Sequence, residues 1–577
     1  MRATEFRDRL KAHFEEHADR VLLRILVSRN NPAAVELTGA ELLRRSREMA
    51  RELAATTPDE GVVLLLLPHS LELFLLHIGL ILEGRLPAIL AWPTTRVDPR
   101  KYHQNLVHQL RHLPAAQLIT VPALAATLDP GLPYRVTPCS VPGQEGHEPR
   151  VAVELSPEGE DEKVTKRPYR PSEDTPADSL FLQFSGGTTG AQKCVVVTAP
   201  MLVEQLARLK DHLGFDPAKD GVASWLPLYH DMGLIACLWF PLWTGAPSFQ
   251  FSAGDWLLEP DLLFRALQDH AATFCWLPNF AFSYLAGARE RMTGPYSLGH
   301  VRGFINCSEP VRQRSMTAFT EAFAAWGVRR NQPQACYAMA ENVFAVTQTR
   351  LDAPPKTFPR AGVRQTAADV SALAFDLLDD VYVSSGPALS GMEVRIRTRE
   401  GTLAGEAETG SIEMRTVSMF CGYWGNEGFQ TSALGEDGWY QTGDYGFFAE
   451  GELFVIGRTK DIIIVGGQNI FPEDIEALAS SVAGVYPGRV VAFGVEDAEQ
   501  GTEVLCVIAE LRGEYDKKKA AALALQIRGL VISAIGIAPR YVWVKPERWI
   551  VKSTAGKISR KETRVRFLEE RQNPDRA

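Results

Sequence analysis

The chain has 577 residues, of which 45% are hydrophobic and 23% charged, and this composition excludes a wholly disordered or fibrous protein. The length predicts more than one domain. Acidic residues outnumber basic ones by 70 to 61, and the resulting net charge of −9 argues against a protein that binds nucleic acid or anionic lipid broadly.

The first 140 residues predict an α/β fold. The N-terminus is charged and helix-prone, without the apolar segment of a secretory signal. The short apolar runs Val62–Leu67 and Leu86–Ala91 are flanked by turn residues, which is typical of buried parallel strands. The stretch Val62–Leu82 is interrupted by Pro68 and Glu72, so it does not predict a membrane span. The eight cysteines form no CxxC pair, which favours reduced thiols, and we expect a cytoplasmic protein.

The composition then changes three times along the chain. Residues 141–178 are rich in Pro, Gly, Glu and Asp, which predicts a surface loop. Alternation of helical and strand patterns resumes at Leu180 and continues to about Arg360. After an irregular stretch, β-type segments follow: VYVSSG, EVRIRT, SIEMRT and ELFVIG. Beyond Gly457 strand and helix patterns alternate again, including a helix near Lys517–Ile535, which predicts a separate small α+β domain.

A loop rich in glycine and threonine lies between two strand patterns at Phe184–Lys193 (FSGGTTGAQK). Glycines let backbone N–H groups approach a phosphate, hydroxyl groups add donors, and the lysine adds a mobile positive charge. The spacing does not match the Walker A pattern. Taken alone, the segment predicts either an oxyanion-binding loop or an ordinary turn.

Six further motifs follow this loop in a fixed order. They are WLPLYHDMGL (225–234), INCSEP (305–310), YAMAEN (337–342), YQTGD (440–444), GRTKD (457–461) and STAGKISR (553–560). This succession resembles the adenylate-forming superfamily of acyl-CoA synthetases, nonribosomal adenylation domains and luciferases. WLPLYHDMGL, the region around SEPVR and VSSGPALSGMEVRI (383–396) resemble the fatty acyl-AMP ligases in particular, and the resemblance extends from about residue 15 to residue 565.

The resemblance implies an α/β fold with two domains. Residues 1–459 would form a large domain that binds ATP and the acyl substrate, with layered α/β subdomains and a small β-rich subdomain. Residues 460–577 would form a small mobile α+β domain that carries the catalytic lysine. The implied reaction is the ATP- and Mg²⁺-dependent conversion of a fatty acid to acyl-AMP with release of pyrophosphate.

The resemblance also assigns a nucleotide site. The residues that would bind the phosphates are Ser185, Gly186, Gly187, Thr188, Thr189, Gly190 and Lys193. Glu341 would hold Mg²⁺. The residues that would bind adenine and ribose are Cys307, Ser308, Glu309, Tyr337, Ala338, Met339, Asp444 and Arg458. The chain departs from the family pattern at Gln192, Cys194 and Ala338. From the residues alone, Glu341 would be a helix cap or surface group, and Asp444 a turn residue.

Three residues would serve catalysis and domain movement. Lys557 would bring a cation to the substrate carboxylate and the α-phosphate, although composition alone predicts an exposed lysine in a basic tail. His230 would orient the substrate carboxylate, while an isolated histidine near an apolar face is more often a structural core residue. Lys460 would be the hinge about which the small domain rotates.

The acyl pocket is predicted at Phe274–Leu285, an aromatic segment without acidic residues. Its candidate lining residues are Asn279, Phe280, Phe282 and Tyr284. Fatty acyl-AMP ligases pass the acyl group to the phosphopantetheine thiol of an acyl carrier protein, and they carry an insertion where this chain has Leu351–Leu378. The alternatives are an acyl-CoA synthetase, an amino-acid adenylation enzyme and a non-catalytic relative that binds acyl groups or nucleotides.

Overall fold

The fold is given by a computed structural model. It describes residues 1–26, 34–54, 62–93, 102–103, 106, 115–121, 124, 138–141, 150–154, 176–184, 193–364, 380–425, 428–430, 434–435, 437–465, 468–497, 502–552 and 558–572.

The helices of these ranges are α1 (Ala3–Glu16), α2 (Gly39–Ala54), α3 (Leu71–Leu82), α4 (Ala199–Leu213), α5 (Phe240–Thr244), α6 (Ala253–Leu258), α7 (Leu262–Asp269), α8 (Asn279–Ala288), α9 (Gln313–Phe323), α10 (Pro472–Ser480), α11 (Lys517–Ile535) and α12 (Arg560–Gln572). A π-helix, Met232–Trp239, runs directly into α5.

The strands are β1 (Val21–Ile25), β2 (Val35–Thr38), β3 (Val62–Leu65), β4 (Leu86–Ile89), β5 (Ala115–Thr120), β6 (Pro138–Val141), β7 (Arg150–Glu154), β8 (Ser179–Phe184), β9 (Cys194–Thr198), β10 (Val222–Ser224), β11 (Ser248–Gln250), β12 (Phe274–Leu277), β13 (Gly303–Asn306), β14 (Pro333–Ala338), β15 (Ala345–Gln348), β16 (Thr357–Pro359), β17 (Val381–Val383), β18 (Met392–Arg397), β19 (Gly410–Thr416), β20 (Tyr423–Gly425), β21 (Gly428–Gln430), β22 (Tyr440–Ala449), β23 (Glu452–Arg458), β24 (Ile463–Val465), β25 (Gln468–Ile470), β26 (Val485–Asp497), β27 (Thr502–Leu511) and β28 (Tyr541–Lys545).

Two large sheets dominate the chain before residue 460. Sheet I has the order β15-β14-β13-β12-β10-β11-β1-β2, and sheet II has the order β21-β20-β9-β8-β4-β3-β5-β7-β6. Their central strands are parallel, as the continuous apolar runs predict. The predicted α/β class is therefore confirmed, although both sheets also contain antiparallel strands near their edges.

The core between the two sheets is filled by α3 and the π-helix. Phe181 of sheet II stacks on Trp239 of the π-helix, with ring centroids 6.3 Å apart. His77 of α3 packs against both rings and accepts a hydrogen bond of 3.1 Å from the Trp239 indole N–H. Complete burial lowers the pKa of His77 to about 3, so the imidazole stays neutral. The apolar stretch that contains α3 is therefore core.

Two smaller sheets complete the chain. Sheet III (β18-β19-β22-β23) is antiparallel, and it contains three of the β-type segments that the sequence predicts. Sheet IV (β26-β27-β28) packs with α10 and α11 around its own hydrophobic core. The boundary at residue 460 stays a prediction. Within the described ranges, no helix has the length and apolar character needed to cross a membrane.

Candidate functional site

The predicted phosphate loop joins two antiparallel neighbours in sheet II. β8 ends at Phe184 and β9 begins at Cys194, and these two residues pair in the register. The loop residues Ser185, Gly186, Gly187, Thr188, Thr189 and Gly190 lie outside the described residues. Lys193 is described, and its Nζ lies 4.4 Å from the ring centroid of Tyr423. The two strands that the sequence predicts around this loop are present, and the structure adds that they pair as an antiparallel hairpin.

Glu341 lies in a 3-10 turn, Ala340–Asn342, that follows β14. Its Oε1 accepts a hydrogen bond of 2.6 Å from the Tyr423 hydroxyl, which lies 2.8 Å from the Tyr440 hydroxyl. Burial and the adjacent carboxylate hold the pKa of Tyr423 well above its usual range, so the phenol remains a donor. Glu341 and Lys193, which are 148 positions apart by their numbers, thus contact the same tyrosine.

Asp444 and Arg458 face each other on β22 and β23. The Arg458 Nε lies 3.4 Å from the Asp444 Oδ1, and the Tyr337 hydroxyl donates a hydrogen bond of 2.6 Å to the Asp444 Oδ2. Tyr337 and Asp444 are both buried. Burial, and then the charge of Asp444, hold the pKa of Tyr337 well above its usual range. Three of the residues predicted to bind the nucleoside are therefore in direct contact.

The other predicted adenine-binding residues lie at the carboxyl ends of β13 and β14, which are adjacent and parallel. Ligands of open α/β sheets bind at this edge. Cys307 is fully buried, and Ser308 adopts a φ of +72°, a conformation uncommon for a residue with a side chain. The Glu309 carboxylate accepts a hydrogen bond of 2.9 Å from the Phe280 backbone N–H. It therefore stabilises the N-terminus of α8.

Ala338 and Met339 continue from Tyr337 at the end of β14. Ala338 pairs with Ala345 of β15, where the register shifts by an irregularity. The Met339 N–H donates to the Phe344 carbonyl at 2.9 Å. The main chain at this position is therefore held by β15 on one side, directly before the turn that carries Glu341.

His230 lies two positions before the first residue of the π-helix, Met232. Its Nδ1 is 2.6 Å from the Asp231 Oδ1, and this carboxylate also accepts a hydrogen bond of 2.7 Å from the Met232 N–H. The preceding residue is anchored to sheet II, because the Gln183 side-chain amide donates to the Tyr229 carbonyl at 2.9 Å. Gln183 stands near the end of β8, two positions before the phosphate loop. This contact holds the residue before His230 at the end of β8.

The four predicted acyl-pocket residues lie on different faces of α8. Phe280 is 45% exposed, whereas Phe282 is fully buried and packs on Phe319 at 5.2 Å. Tyr284 lies one turn after Phe280 on the same face of α8. Its hydroxyl donates a hydrogen bond to the Leu257 carbonyl. Asn279 accepts hydrogen bonds from the Asn306 side chain and the Arg312 backbone N–H. The structure therefore brings Phe280 and Tyr284 together but separates Phe282 from them.

Two tryptophans, which the sequence reasoning missed, complete the face formed by Phe280 and Tyr284. Trp225 and Trp256 stack with centroids 4.0 Å apart. The Trp256 ring lies 5.0 Å from Tyr284 and 6.3 Å from Phe280. Trp225 opens the motif WLPLYHDMGL, which was the available signal for it, whereas nothing local to Trp256 distinguishes it from a core residue.

Lys460 lies in a 3-10 turn, Thr459–Asp461, after β23. Partial desolvation and the positive charge of Arg458 lower the pKa of Lys460, and Lys193 acts in the same direction. The predicted hinge therefore lies near the nucleotide-binding residues. Lys557 lies outside the described residues.

Arg560 fixes the residues that follow the predicted lysine loop. Its guanidinium forms ion pairs of 2.8 Å with Asp461, Glu473 and Glu476. These carboxylates belong to the hinge turn and to α10. These ion pairs therefore connect the start of α12 to the hinge turn and to α10.

The side chains present fit a nucleotide and a hard divalent cation. Glu341 offers a carboxylate that contacts the same tyrosine as Lys193, and Mg²⁺ is bound in proteins through one or two carboxylates together with phosphate oxygens. Asp444 offers charged acceptors in a buried position, where hydrogen bonds from ribose hydroxyls are strong. The arrangement suits the binding of a nucleoside phosphate.

Comparisons with known proteins agree with this geometry. The profile of the family described as "AMP-binding enzyme" matches residues 10–424. A putative acyl-CoA synthetase of Caulobacter vibrioides is 31% identical, over 68% of this chain and 69% of that protein. The long-chain-fatty-acid–AMP ligase FadD32 of Mycolicibacterium smegmatis is 26% identical, over 92% of this chain and 89% of that protein.

A solved structure shares the fold. It comes from a study of fatty acyl-adenylate ligases from E. coli and L. pneumophila, with a TM-score of 0.78 and 21% identity, and the match covers 98% of each chain. The matched family profile, the shared fold and the contacts among the motif residues lead to one conclusion. The chain is an enzyme of the AMP-binding family of adenylate-forming ligases.

Proposed function

We propose that the chain activates a medium- or long-chain fatty acid with ATP and passes the acyl group to an acyl carrier protein. In the first step a carboxylate oxygen attacks the α-phosphorus, the bond to the pyrophosphate breaks, and acyl-AMP forms. In the second step the phosphopantetheine thiol attacks the acyl carbon, AMP leaves with the bonding electrons, and the thiol proton is released.

One observation carries the proposal. Lys193 and Glu341 meet at Tyr423, while the buried Tyr337 and Asp444 and the partly exposed Arg458 form a connected group. The two groups are linked, because the Tyr440 hydroxyl contacts Tyr423 and β22 carries both Tyr440 and Asp444. A cation, a metal-binding carboxylate and ribose acceptors are thus held on one framework. Catalysis of adenylation consists mainly of such positioning and of charge stabilisation.

The residues have separate tasks in this scheme. Lys193 and the loop before it bind the β- and γ-phosphates, and Asp444 with Arg458 binds the ribose. Bound Mg²⁺ would be held by Glu341 and would neutralise phosphate charge. His230, oriented by Asp231, holds the substrate carboxylate. Lys557 supplies the cation that offsets repulsion between the carboxylate and the α-phosphate.

The fatty nature of the acid rests on two supports. FadD32 of M. smegmatis is named a long-chain-fatty-acid–AMP ligase. Phe280 is 45% exposed and offers apolar surface, and the buried rings of Trp225 and Trp256, the first of which belongs to the motif of His230, pack behind it. Burial of an alkyl chain on such a surface contributes about 0.8 kcal/mol per methylene, so selection by chain length needs no ionic contact.

The first experiment measures fatty-acid-dependent exchange of labelled pyrophosphate into ATP. Saturated acids from C4 to C18 and a panel of amino acids serve as substrates. We expect exchange to rise with chain length and to be absent with amino acids. Exchange supported by amino acids alone would contradict the fatty-acid assignment, and its absence with every acid would contradict adenylation.

The second experiment separates the two acceptors. A relative at 31% identity is named a putative acyl-CoA synthetase, so CoA is the competing acceptor. Preformed acyl-AMP on the enzyme is offered CoA or a phosphopantetheinylated carrier protein at equal concentration. We expect transfer to the carrier, and faster formation of acyl-CoA would favour the alternative.

A further inference from the structure

We propose that Tyr423 is a positioning residue that fixes Glu341 for the divalent cation and Lys193 for the nucleotide phosphates. The inference rests on the proposed function, since it deepens the roles assigned there to Glu341 and Lys193. Tyr423 itself touches no reacting atom in this scheme. It acts through a carboxylate and an ammonium group that come from distant parts of the chain.

The backbone brings Tyr423 to Lys193. β20 pairs with β9 in antiparallel register, with Tyr423 opposite Val195 and Trp424 opposite Cys194. The strand that begins directly after Lys193 is therefore the neighbour of the strand that begins at Tyr423. This pairing sets the ring at the base of the phosphate loop.

The ring then receives the lysine. The Lys193 Nζ lies 4.4 Å from the Tyr423 ring centroid, within the range of a cation–π contact. A lysine side chain is flexible and loses conformational freedom when it binds a phosphate. A preferred position over an aromatic face makes this loss smaller. The face of the tyrosine thus gives the predicted phosphate ligand a defined starting position.

The hydroxyl holds the carboxylate. The Tyr423 O–H donates to the Glu341 Oε1 at 2.6 Å, and Oε2 is the second oxygen of the same carboxylate. The main chain of Glu341 is fixed from the same segment, because the Phe420 N–H donates to the Glu341 carbonyl at 2.7 Å. Phe420 also packs on the rings of Tyr423 and Tyr440, at 4.7 and 5.1 Å.

A hydrogen bond from outside the ligand set is the usual means by which a metal-binding carboxylate is oriented. Loss of such a partner typically lowers metal affinity or activity about 10- to 100-fold. Tyr423 fits this role, because its segment restrains both the side chain and the main chain of Glu341. The phenol and the ring face can be removed separately, which makes the proposal testable.

The test measures binding of Mn²⁺, in place of Mg²⁺, to the full-length protein with ATP by electron paramagnetic resonance. Tyr423→Phe removes the hydroxyl and keeps the ring, and we expect Mn²⁺ affinity to fall about tenfold. Binding of ATP without metal should change less than twofold in this variant. Tyr423→Leu removes the ring as well, so it should also weaken metal-free ATP binding.

Tyr296→Phe is the matched control, because the Tyr296 hydroxyl donates to the Asp261 carboxylate at 2.8 Å in another part of the chain. It should leave Mn²⁺ affinity unchanged. In a Glu341→Gln background, Tyr423→Phe should cause no further loss. Thermal melting checks that every variant is folded.

Two results would overturn the inference: wild-type Mn²⁺ affinity in Tyr423→Phe, or an undiminished effect of this substitution in the Glu341→Gln background. Fatty-acid-dependent pyrophosphate exchange by the wild type is measured in parallel. If exchange is absent while Mn²⁺–ATP binds, the proposed function fails, and the affinities still decide the role of Tyr423.

Discussion

Asp474 and Arg360 form a two-pronged ion pair, with Nη1–Oδ2 and Nη2–Oδ1 distances of 2.9 and 3.1 Å. Asp474 lies in the first turn of α10, and Arg360 lies before sheet III and is only 4% exposed. Arg312, between β13 and α9, donates to the same carboxylate at 3.1 Å. One side chain therefore ties the segment after the hinge to two distant segments of the large predicted domain.

Asp474→Asn should destabilise the protein, because the substitution leaves two arginines, one of them almost fully buried, without their charge partner. Removal of one member of a buried ion pair costs about 3–5 kcal/mol. Urea unfolding at pH 7 measures the loss. Glu393→Gln, in the exposed pair with Arg415, is the control and should change stability by about 0–1 kcal/mol. Equal effects of both substitutions would contradict the prediction.

The same ion pair predicts a pH dependence. Burial alone would raise the pKa of Asp474, but the charges of Arg360 and Arg312 outweigh burial and hold the pKa below its ordinary value. The stabilisation is therefore complete above the pKa of the unfolded chain, about 3.9, and is lost as the pH falls through the lower folded value. The stability difference between wild type and Asp474→Asn should shrink below about pH 4. A difference that stays constant to pH 3 would rule this out.

Asp444→Asn should raise the KM for ATP and leave the KM for the fatty acid nearly unchanged. The substitution removes the charge that faces Arg458 and the Tyr337 hydroxyl. Hydrogen bonds to charged groups contribute about 1.5–3 kcal/mol, so we expect a 10- to 100-fold loss in kcat/KM for ATP. Asp437→Asn, in the half-exposed pair with Arg395, is the control. An increase confined to the KM of the acid would place Asp444 elsewhere.

Lys557→Ala should lower the rate of acyl-AMP formation by about 10²-fold or more, the scale for loss of one preorganised group that stabilises charge. Single-turnover formation of acyl-AMP measures it. Lys561→Ala removes a lysine four positions further on, within α12, and should have little effect. Near wild-type formation by Lys557→Ala would remove the catalytic assignment.

Lys460→Pro should impair acyl transfer more than adenylation. Proline fixes φ near −65°, and a hinge must change its backbone angles when the domains move. Pyrophosphate exchange and acyl transfer are measured separately, with Lys460→Ala as the control that keeps the backbone free. Equal losses in both reactions would contradict the hinge role.

Local patterns predicted the elements well. Helix α11 has the bounds that its periodicity indicated, and the two strands around the phosphate loop are present as a hairpin. Apolar runs and turn residues are local signals, and they act over the length of one element. Sequence motifs identified Lys193 and Glu341 as candidate site residues, and in the structure both contact one tyrosine, Tyr423.

Contacts between distant segments could not be predicted. Tyr423 and Glu341 are 82 positions apart, and Asp474 and Arg360 are 114 apart. These pairs depend on how strands from separate parts of the chain become neighbours, which no periodicity in one segment encodes. Phe282 shows the same limit within one helix, because a whole segment was assigned to the pocket although its residues face both ways.

The π-helix that follows His230 makes the site sensitive to chain length as well as to side chains. An i→i+5 turn holds one residue more than the α-helical turn it replaces. Deletion of a single residue between Gly233 and Leu238 would allow ordinary α-helical winding into α5. The segment N-terminal to the deletion, which includes His230, would then be rotated and shifted along the helix axis. Insertions and deletions in this stretch are therefore expected to be far less tolerated than conservative apolar exchanges.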